Sequence, residues 1–369
     1  SSIVTALAAK HKKDIHSFSI GFKDEPFFDE TKYAQLVSKK VNTKHTVFSL
    51  SNQDLLDHVF EVLDYMDEPF GDSSAIPVNI LSKFTKEHVS VALSGDGADE
   101  MFAGYNKHYA EFRVRNAGFV NQLLKSVSPL LDLLPQSRNS KIANLSRQIN
   151  RYSQGAKLKH KERYWKWASI LNEEEANYLL KEKRQEQKQR ASDEAFQYKK
   201  RKEAILKTIR KTGDFNDVLY TDMNLVLKDD MLKKVDSMSM ARSLEVRTPF
   251  LDHNLVDFAF TLPTEFKINS NSRKKILRDT FKSYLPDEVN DRGKMGFEVP
   301  LLKWFREDLR QLINNDLLED NFIEEQGIFN LDAIKNLKLK LYSNNPKDAH
   351  ATVWAIIVFQ HWWKKYMQN

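Results

Sequence analysis

No cysteine occurs in the 369 residues, which excludes disulfides, thiolate metal sites and a cysteine nucleophile within this stretch. That absence fits a reducing compartment, so a cytoplasmic location is expected. No apolar run reaches the roughly 18 residues that a membrane-spanning helix requires, and no bilayer anchoring is expected. Ser1-Ser2 brings neither an initiator methionine nor a signal-peptide pattern and runs straight into the helical-looking Ile3-Val4-Thr5-Ala6-Leu7, so the chain reads as a piece of a longer one. Glycine is scarce too. There are 11, about 3% of the chain against roughly 7% on average.

Three of those glycines, Gly95, Gly97 and Gly104, fall in "LSGDGADEMFAGY" (93–105), behind the apolar Val89-Ser90-Val91-Ala92. Glycine serves where the backbone takes unusual dihedrals or approaches a ligand closely. A tight strand-to-helix turn with an acidic rim explains the stretch as well as a ligand site does.

Lys and Arg number 57 against 51 Asp and Glu, for a net charge of +6. The basic residues gather in the middle, at 181–190 and Lys199-Lys200-Arg201-Lys202. Glutamates are interspersed there, so a solvated helical face is favoured over a nucleic-acid patch, and a basic nucleic-acid-binding module stands as the rival from another class. The ten histidines show no metal-ligand spacing such as H-E-x-x-H.

Residues 3–12 read as a helix, 15–22 as a strand, 29–40 as a helix and 45–50 as a strand. A helix beginning near Ser51-Asn52-Gln53-Asp54, the loop "DEPFGDSSAIP" (67–77), a helix to about Lys86 and a strand over 88–93 follow. Alternating helices and strands predict an α/β domain with a parallel sheet over 1–115. In such sheets ligands sit at the carboxyl ends of the strands, where the glycine-bearing stretch lies. From 116 to 369 the patterns are mainly helical, interrupted by the loops "SLEVRTPFLDHN" (243–254) and "DRGKMGFEVPL" (291–301).

Backbone N–H groups of Ser94 to Gly97, at the end of a strand, suit a phosphate or ribose. The carboxylates Asp96 and Asp99 would repel a bare polyphosphate and make sense if magnesium lies between, since that ion is held by one or two carboxylates plus substrate phosphates. Together they suggest a nucleotide with magnesium.

With "FSIGF" (18–22), "DEPFGDSSAIP", "VDSMSMARSLEVRTPFLDH" (235–253) and "KMGFEVPL" (294–301) following in order, "LSGDGADEMFAGY" resembles the second nucleotide-binding motif of the asparagine synthetase family. The resemblance covers nearly the whole chain. It implies a PP-loop ATP pyrophosphatase core of the adenine nucleotide alpha hydrolase-like fold over 1–115, completed by the helical part over 116–369. Ser1-Ser2 resemble the last residues of the family's SGGxDSS pyrophosphate loop, so a chain starting at Ser1 is expected not to bind ATP normally. The implied parts are ATP, Mg2+, aspartate or a related carboxylate, ammonia, an amino-terminal glutaminase domain in the full-length chain, and a homodimer.

By the same resemblance Ser1, Ile20, Ser94, Gly95 and Gly97 would bind ATP and Asp99 would bind magnesium. Asp96 would face the reacting carboxylate or move a proton, and Lys294 would neutralise charge on the α-phosphate. Glu100, Lys234 and Asp236 fall at positions near the amino-acid substrate. Glu245 and Arg247 read first as an internal ion pair fixing their loop between domains, and second as direct substrate contacts. The expected reaction turns aspartate, ATP and ammonia into asparagine, AMP and pyrophosphate. Amidotransferases and β-lactam-synthetase-like enzymes that adenylate another carboxylate are the alternative.

Overall fold

The computed structural model describes residues 1–26, 28–116, 136, 141–181, 188–211, 213–291 and 299–368. Its packing forms two compact units that interleave along the chain. The first comprises Ser1–Asp67, Asp72–Phe112 and Gly213–Val299, and the second Glu68–Gly71, Arg113–Thr212 and Pro300–Asn369. Residues 213–299, which the sequence groups with the helical part, thus pack into the first unit.

In the first unit α1 (Ser2–His11), β1 (His16–Phe22), α2 (Thr31–Val41) and β2 (Lys44–Leu50) alternate as expected. The strands pair in parallel, His16 opposite Lys44 and Phe22 opposite Leu50. Side chains alternate across them. On one face Phe18 stacks on Phe48 with ring centroids 6.1 Å apart. On the other, the Ser17 and Ser19 hydroxyls meet the two nitrogens of the His45 ring at 2.9 and 3.1 Å.

A capping box opens α3 (Asn52–Asp57), the Ser51 hydroxyl accepting the Asp54 N–H at 3.1 Å while the Asp54 carboxylate accepts the Ser51 N–H at 2.7 Å. Beyond it lie α4 (Val59–Tyr65), α5 (Ala75–Lys86), β3 (Val91–Leu93), α6 (Ala98–Met101) and α7 (Asn106–Asn116). The third strand starts later than residue 88 because the His88 and Val89 N–H groups still donate to the Thr85 carbonyl at the end of α5.

The stretch 243–254 is not wholly a loop. Glu245–Arg247 forms β4, which pairs in parallel with β3, and Pro249–Leu251 makes one 3-10 turn. The Glu245 N–H donates to the Ser90 carbonyl and the Ser94 N–H to the Arg247 carbonyl, so the two strands satisfy each other's backbone groups. The class is α/β with small parallel sheets.

Beneath α6 the core of this unit collects Val4, Met101, Phe102, Phe250 and Leu277. Each such side chain contributes about 1.5–3 kcal/mol by burial. The helix that follows the glycine-bearing turn is therefore pinned from below, through its own Met101 and Phe102, by residues of three other segments.

The described part of the second unit is dominated by helices. Trp167, on helix His160–Ala168, lies over Gly155 of helix Lys141–Ala156 and donates its ring N–H to the Arg151 carbonyl at 3.2 Å. Around helix Ala349–Tyr366 a core of Trp304, Phe305, Ile334, Trp354 and Ile357 is fully or almost fully buried.

Candidate active site

β3 ends in a turn whose first side chain folds back on it. The Ser94 hydroxyl donates to Asp96 Oδ2 at 2.6 Å. Gly97 then adopts φ 90° and caps α6, a backbone that L side chains rarely take. A Cβ there would also fall within 2.8 Å of Leu251 Cγ. At Gly95 the demand is for space, since a Cβ would land on the Ser1 backbone, 2.8 Å from its Cα. Ser1 itself accepts the Thr5 N–H at 2.9 Å and so starts α1. Two helix beginnings therefore meet backbone to backbone at the end of β3, bringing Ser1, Ser94, Gly95, Asp96 and Gly97 together.

Asp99 and Glu100 leave this turn in different directions. Asp99 forms an ion pair with Lys274 at 2.9 Å. Gly104 leaves room for it, because a Cβ at Gly104 would fall on both side chains. Lys274 is held in the left-handed region at φ 51°, and its N–H donates to the Phe102 carbonyl at 3.0 Å. Glu100 is only 1% exposed and accepts the Tyr105 hydroxyl at 2.7 Å. Burial raises its carboxyl above the ordinary range, against the lowering effect of the Tyr105 bond. Tyr105 is pushed far upward, by burial first and by the Glu100 charge second.

A second charged cluster gathers around Lys234. Its ammonium donates to Asp72 Oδ2 at 2.6 Å and to the Ser74 hydroxyl at 2.8 Å. Asp72 also accepts the Ser74 N–H at 2.9 Å. Burial alone would raise the Asp72 carboxyl, but Lys234 and the Ser74 bonds outweigh it and hold it below the ordinary range. Asp230 lies on the widened, π-helical turns Met223–Leu232. Burial, and then the nearby Asp72 charge, push its carboxyl up to about 7, and its Oδ1 is buried without a hydrogen-bond partner.

The asparagine synthase family model matches residues 1–364. The chain belongs to the asparagine synthase family. It is 26% identical over 366 residues to the glutamine-hydrolysing asparagine synthetase 1 of Bacillus subtilis, an alignment covering 98% of this chain and 54% of that protein. A second relative in the same organism, asparagine synthetase 3, is 28% identical over 313 residues, or 80% of this chain and 43% of that protein. The amidase chry2 of Gibberella zeae is 28% identical over 107 residues, 27% of this chain and 16% of that protein. The chain spans about half the length of the two asparagine synthetases.

Within this asparagine synthase family chain the remaining predicted residues lie apart from the turn or outside the described residues. Ile20 is buried within β1, opposite Phe48. Asp236 is exposed on helix Lys233–Met240, whereas Lys234 two residues earlier is buried. Lys294 lies outside the described residues. Arg247 and Glu245 pair at 2.7 Å, but both side chains are more than half exposed and both belong to β4, so the pair is not the internal tie expected.

Lys274, Tyr105 and Asp230 were not singled out from sequence. A signal for the first exists in "SRKKILRD" (272–279), where basic residues crowd the start of helix Lys275–Phe281, the wrong end for its dipole. A helix that begins on lysines needs a local anion, and Asp99 provides it.

For magnesium the donor set is narrow. Among the described residues no group of three or more His, Cys, Asp or Glu side chains gathers to hold a metal. The carboxylates at this turn are Asp96, bonded to Ser94, and Asp99, paired with Lys274, and one or two carboxylates suit a hard cation whose other ligands are phosphate oxygens of a bound nucleotide. Such a cation would compete with the Lys274 ammonium for Asp99. No helix among the described residues is long and apolar enough to cross a membrane.

Proposed function

We propose that the full-length protein makes an amide from a carboxylate, ATP and ammonia, with aspartate as substrate and asparagine as product. The observation that carries this reading is the backbone approach of Ser1 to Gly95 beside the Asp99–Lys274 pair. It gives one corner N–H groups, a carboxylate and a cation, the three things a nucleoside triphosphate needs in order to be held and attacked. The reading extends to the fold, a PP-loop ATP pyrophosphatase core, and to an amino-terminal glutaminase domain that supplies ammonia.

A carboxylate at neutral pH resists attack by ammonia because it has no good leaving group. In the first step its oxygen attacks the α-phosphorus, the bond from that phosphorus to the bridging oxygen breaks, and pyrophosphate leaves. In the second, ammonia attacks the acyl carbon, the carbon–oxygen bond to AMP breaks, and the nitrogen loses a proton to a base. Splitting one hard step into two easier ones is the gain of the activated intermediate.

The backbone of Ser94 to Gly97 and of Ser1 would hold the nucleotide, and Ile20 would pack against its adenine. Asp99 would hold magnesium, which when bound neutralises phosphate charge. Asp96, already accepting from Ser94, would face the reacting carboxylate and take the proton released from nitrogen. Negative charge grows on the α-phosphate during attack, so a fixed cation there lowers the barrier. Lys294 is proposed for that role from its motif, and Lys274 is a second cation at the same turn. Glu100, Lys234 and Asp236 would serve the amino-acid end of the substrate, Lys234 through its cluster with Asp72 and Asp230.

The test is pyrophosphate release by the full-length protein with ATP, ammonia and a panel of amino acids. Release that depends on aspartate supports the reading. Release dependent on a different carboxylate would redirect the substrate, and absence of release with every carboxylate would overturn the adenylation chemistry.

A further inference from the structure

Behind the turn a buried polar chain runs from Asp222 to Glu100, and of its members the proposed reaction uses Glu100 alone. Asp222, the last residue of helix Asn216–Asp222, has a fully buried side chain. Its Oδ1 accepts from Lys107 and its Oδ2 from His108 Nε2, each at 2.7 Å. On the other side of the His108 ring, Nδ1 accepts the Tyr105 N–H at 3.4 Å. That acceptor role fixes the tautomer, leaving the ring proton on Nε2 for Asp222.

Both donors to Asp222 also touch Tyr105. The Lys107 ammonium lies 5.4 Å from the centre of the Tyr105 ring, and the His108 ring centroid lies 5.3 Å from it. Tyr105 in turn donates to Glu100, and the Gly104 N–H before it donates to the Asp99 carbonyl at 2.8 Å. A carboxylate 114 residues downstream of His108 therefore terminates a chain that leads back to the acidic pair of the turn.

We infer that Asp222 is a positioning residue, which holds Lys107 and His108 so that Tyr105 stays bonded to Glu100 and the 99–105 segment keeps one orientation. Burial of an ionised carboxylate is tolerated only with such partners, and here both partners are spent on one tyrosine. The inference rests on the proposed function for its kinetic arm alone.

The experiment compares Asp222→Asn with wild type in the full-length protein. Hydrogen exchange over 98–110 is expected to speed up at least tenfold, with no change over 16–50. The kcat for pyrophosphate release is expected to fall at least tenfold while the KM for ATP stays within threefold. In a Glu100→Gln background the same substitution is expected to cost less than threefold, because the two act as one unit. Should Asp222→Asn fail to fold, His108→Gln keeps an N–H donor for Asp222 but takes the acceptor away from the Nδ1 position that meets the Tyr105 N–H, and the same local exchange is expected of it. Unchanged exchange over 98–110, or additive kinetic losses in the double variant, would overturn the inference. Wild-type protein that releases no pyrophosphate would sink the functional reading instead, and the exchange arm then decides this one.

Discussion

At the turn after β3, Ser94 bonds to Asp96 two residues on, but Gly95 meets Ser1 and Asp99 pairs with Lys274 from far along the chain, and in that pair 27% of the lysine side chain and 16% of the aspartate side chain are exposed. Around Lys234 the carboxylates come from positions 72 and 230, Asp72 lying 162 positions from Lys234 and bonded to it at 2.6 Å, and there the ammonium is the more buried partner, 9% exposed against 23% for Asp72. In the first arrangement the lysine is the more exposed partner, and in the second the aspartate is. The second also holds a further carboxyl, Asp230, at about 7 through burial and the Asp72 charge. An ammonium with an exposed side can meet a ligand, whereas one closed into a core must first be satisfied by protein.

Breaking the buried cluster should have the largest effect. Lys234→Met leaves Asp72 buried without its cation, and a loss of about 3–5 kcal/mol in stability is expected from a urea midpoint shift. At the turn after β3 the kinetic effect outweighs the structural one. Lys274→Ala is expected to slow pyrophosphate release by the full-length protein by about 10²–10³, or roughly 2.7–4 kcal/mol of barrier, while leaving the mostly buried Asp99 carboxylate without its cation costs about 1–3 kcal/mol of stability.

The Asp230 carboxyl sharpens the contrast through pH. Its folded value of about 7 lies above the roughly 3.9 of an unfolded aspartate. The stability it contributes is therefore complete below about pH 4 and is lost as pH rises toward 7. Asp230→Asn should flatten that fall, by a slope of at most about 1.4 kcal/mol per pH unit, in urea midpoints measured from pH 4 to 7.5. Asp236→Asn marks the small end. Exposed two residues from Lys234, it should change stability by no more than about 0.5 kcal/mol, and a larger shift in the urea midpoint would show that exposure does not separate the two residues as argued.

Sequence displayed the parts of this molecule that rest on local rules. The helix start near Ser51–Asp54, the strands β1 and β2, and the strand-to-helix turn at the glycines after β3 each follow from patterns within a few residues, and each is where expected. The strand Glu245–Arg247 was hidden because three residues of alternating charge carry no strand signal until β3 supplies their hydrogen-bond partners. Lys274 and Asp230 were hidden for a related reason. The basic start of helix Lys275–Phe281 asks for an anion near Lys274 without naming Asp99, and Asp230 is set by burial and by Asp72, which packing brings to it. Even for Lys234, singled out by family resemblance, the sequence did not show that Asp72 and Ser74 would hold its ammonium.

The proposed adenylation joins a carboxylate to the α-phosphate at the turn where Ser1 meets Gly95 and Asp99 pairs with Lys274. Full-length protein given aspartate labelled with oxygen-18 in its side-chain carboxylate, with ATP and ammonia, should release AMP carrying one labelled oxygen, since the attacking oxygen stays on phosphorus when ammonia displaces it. Unlabelled AMP, or ADP in its place, would contradict the account.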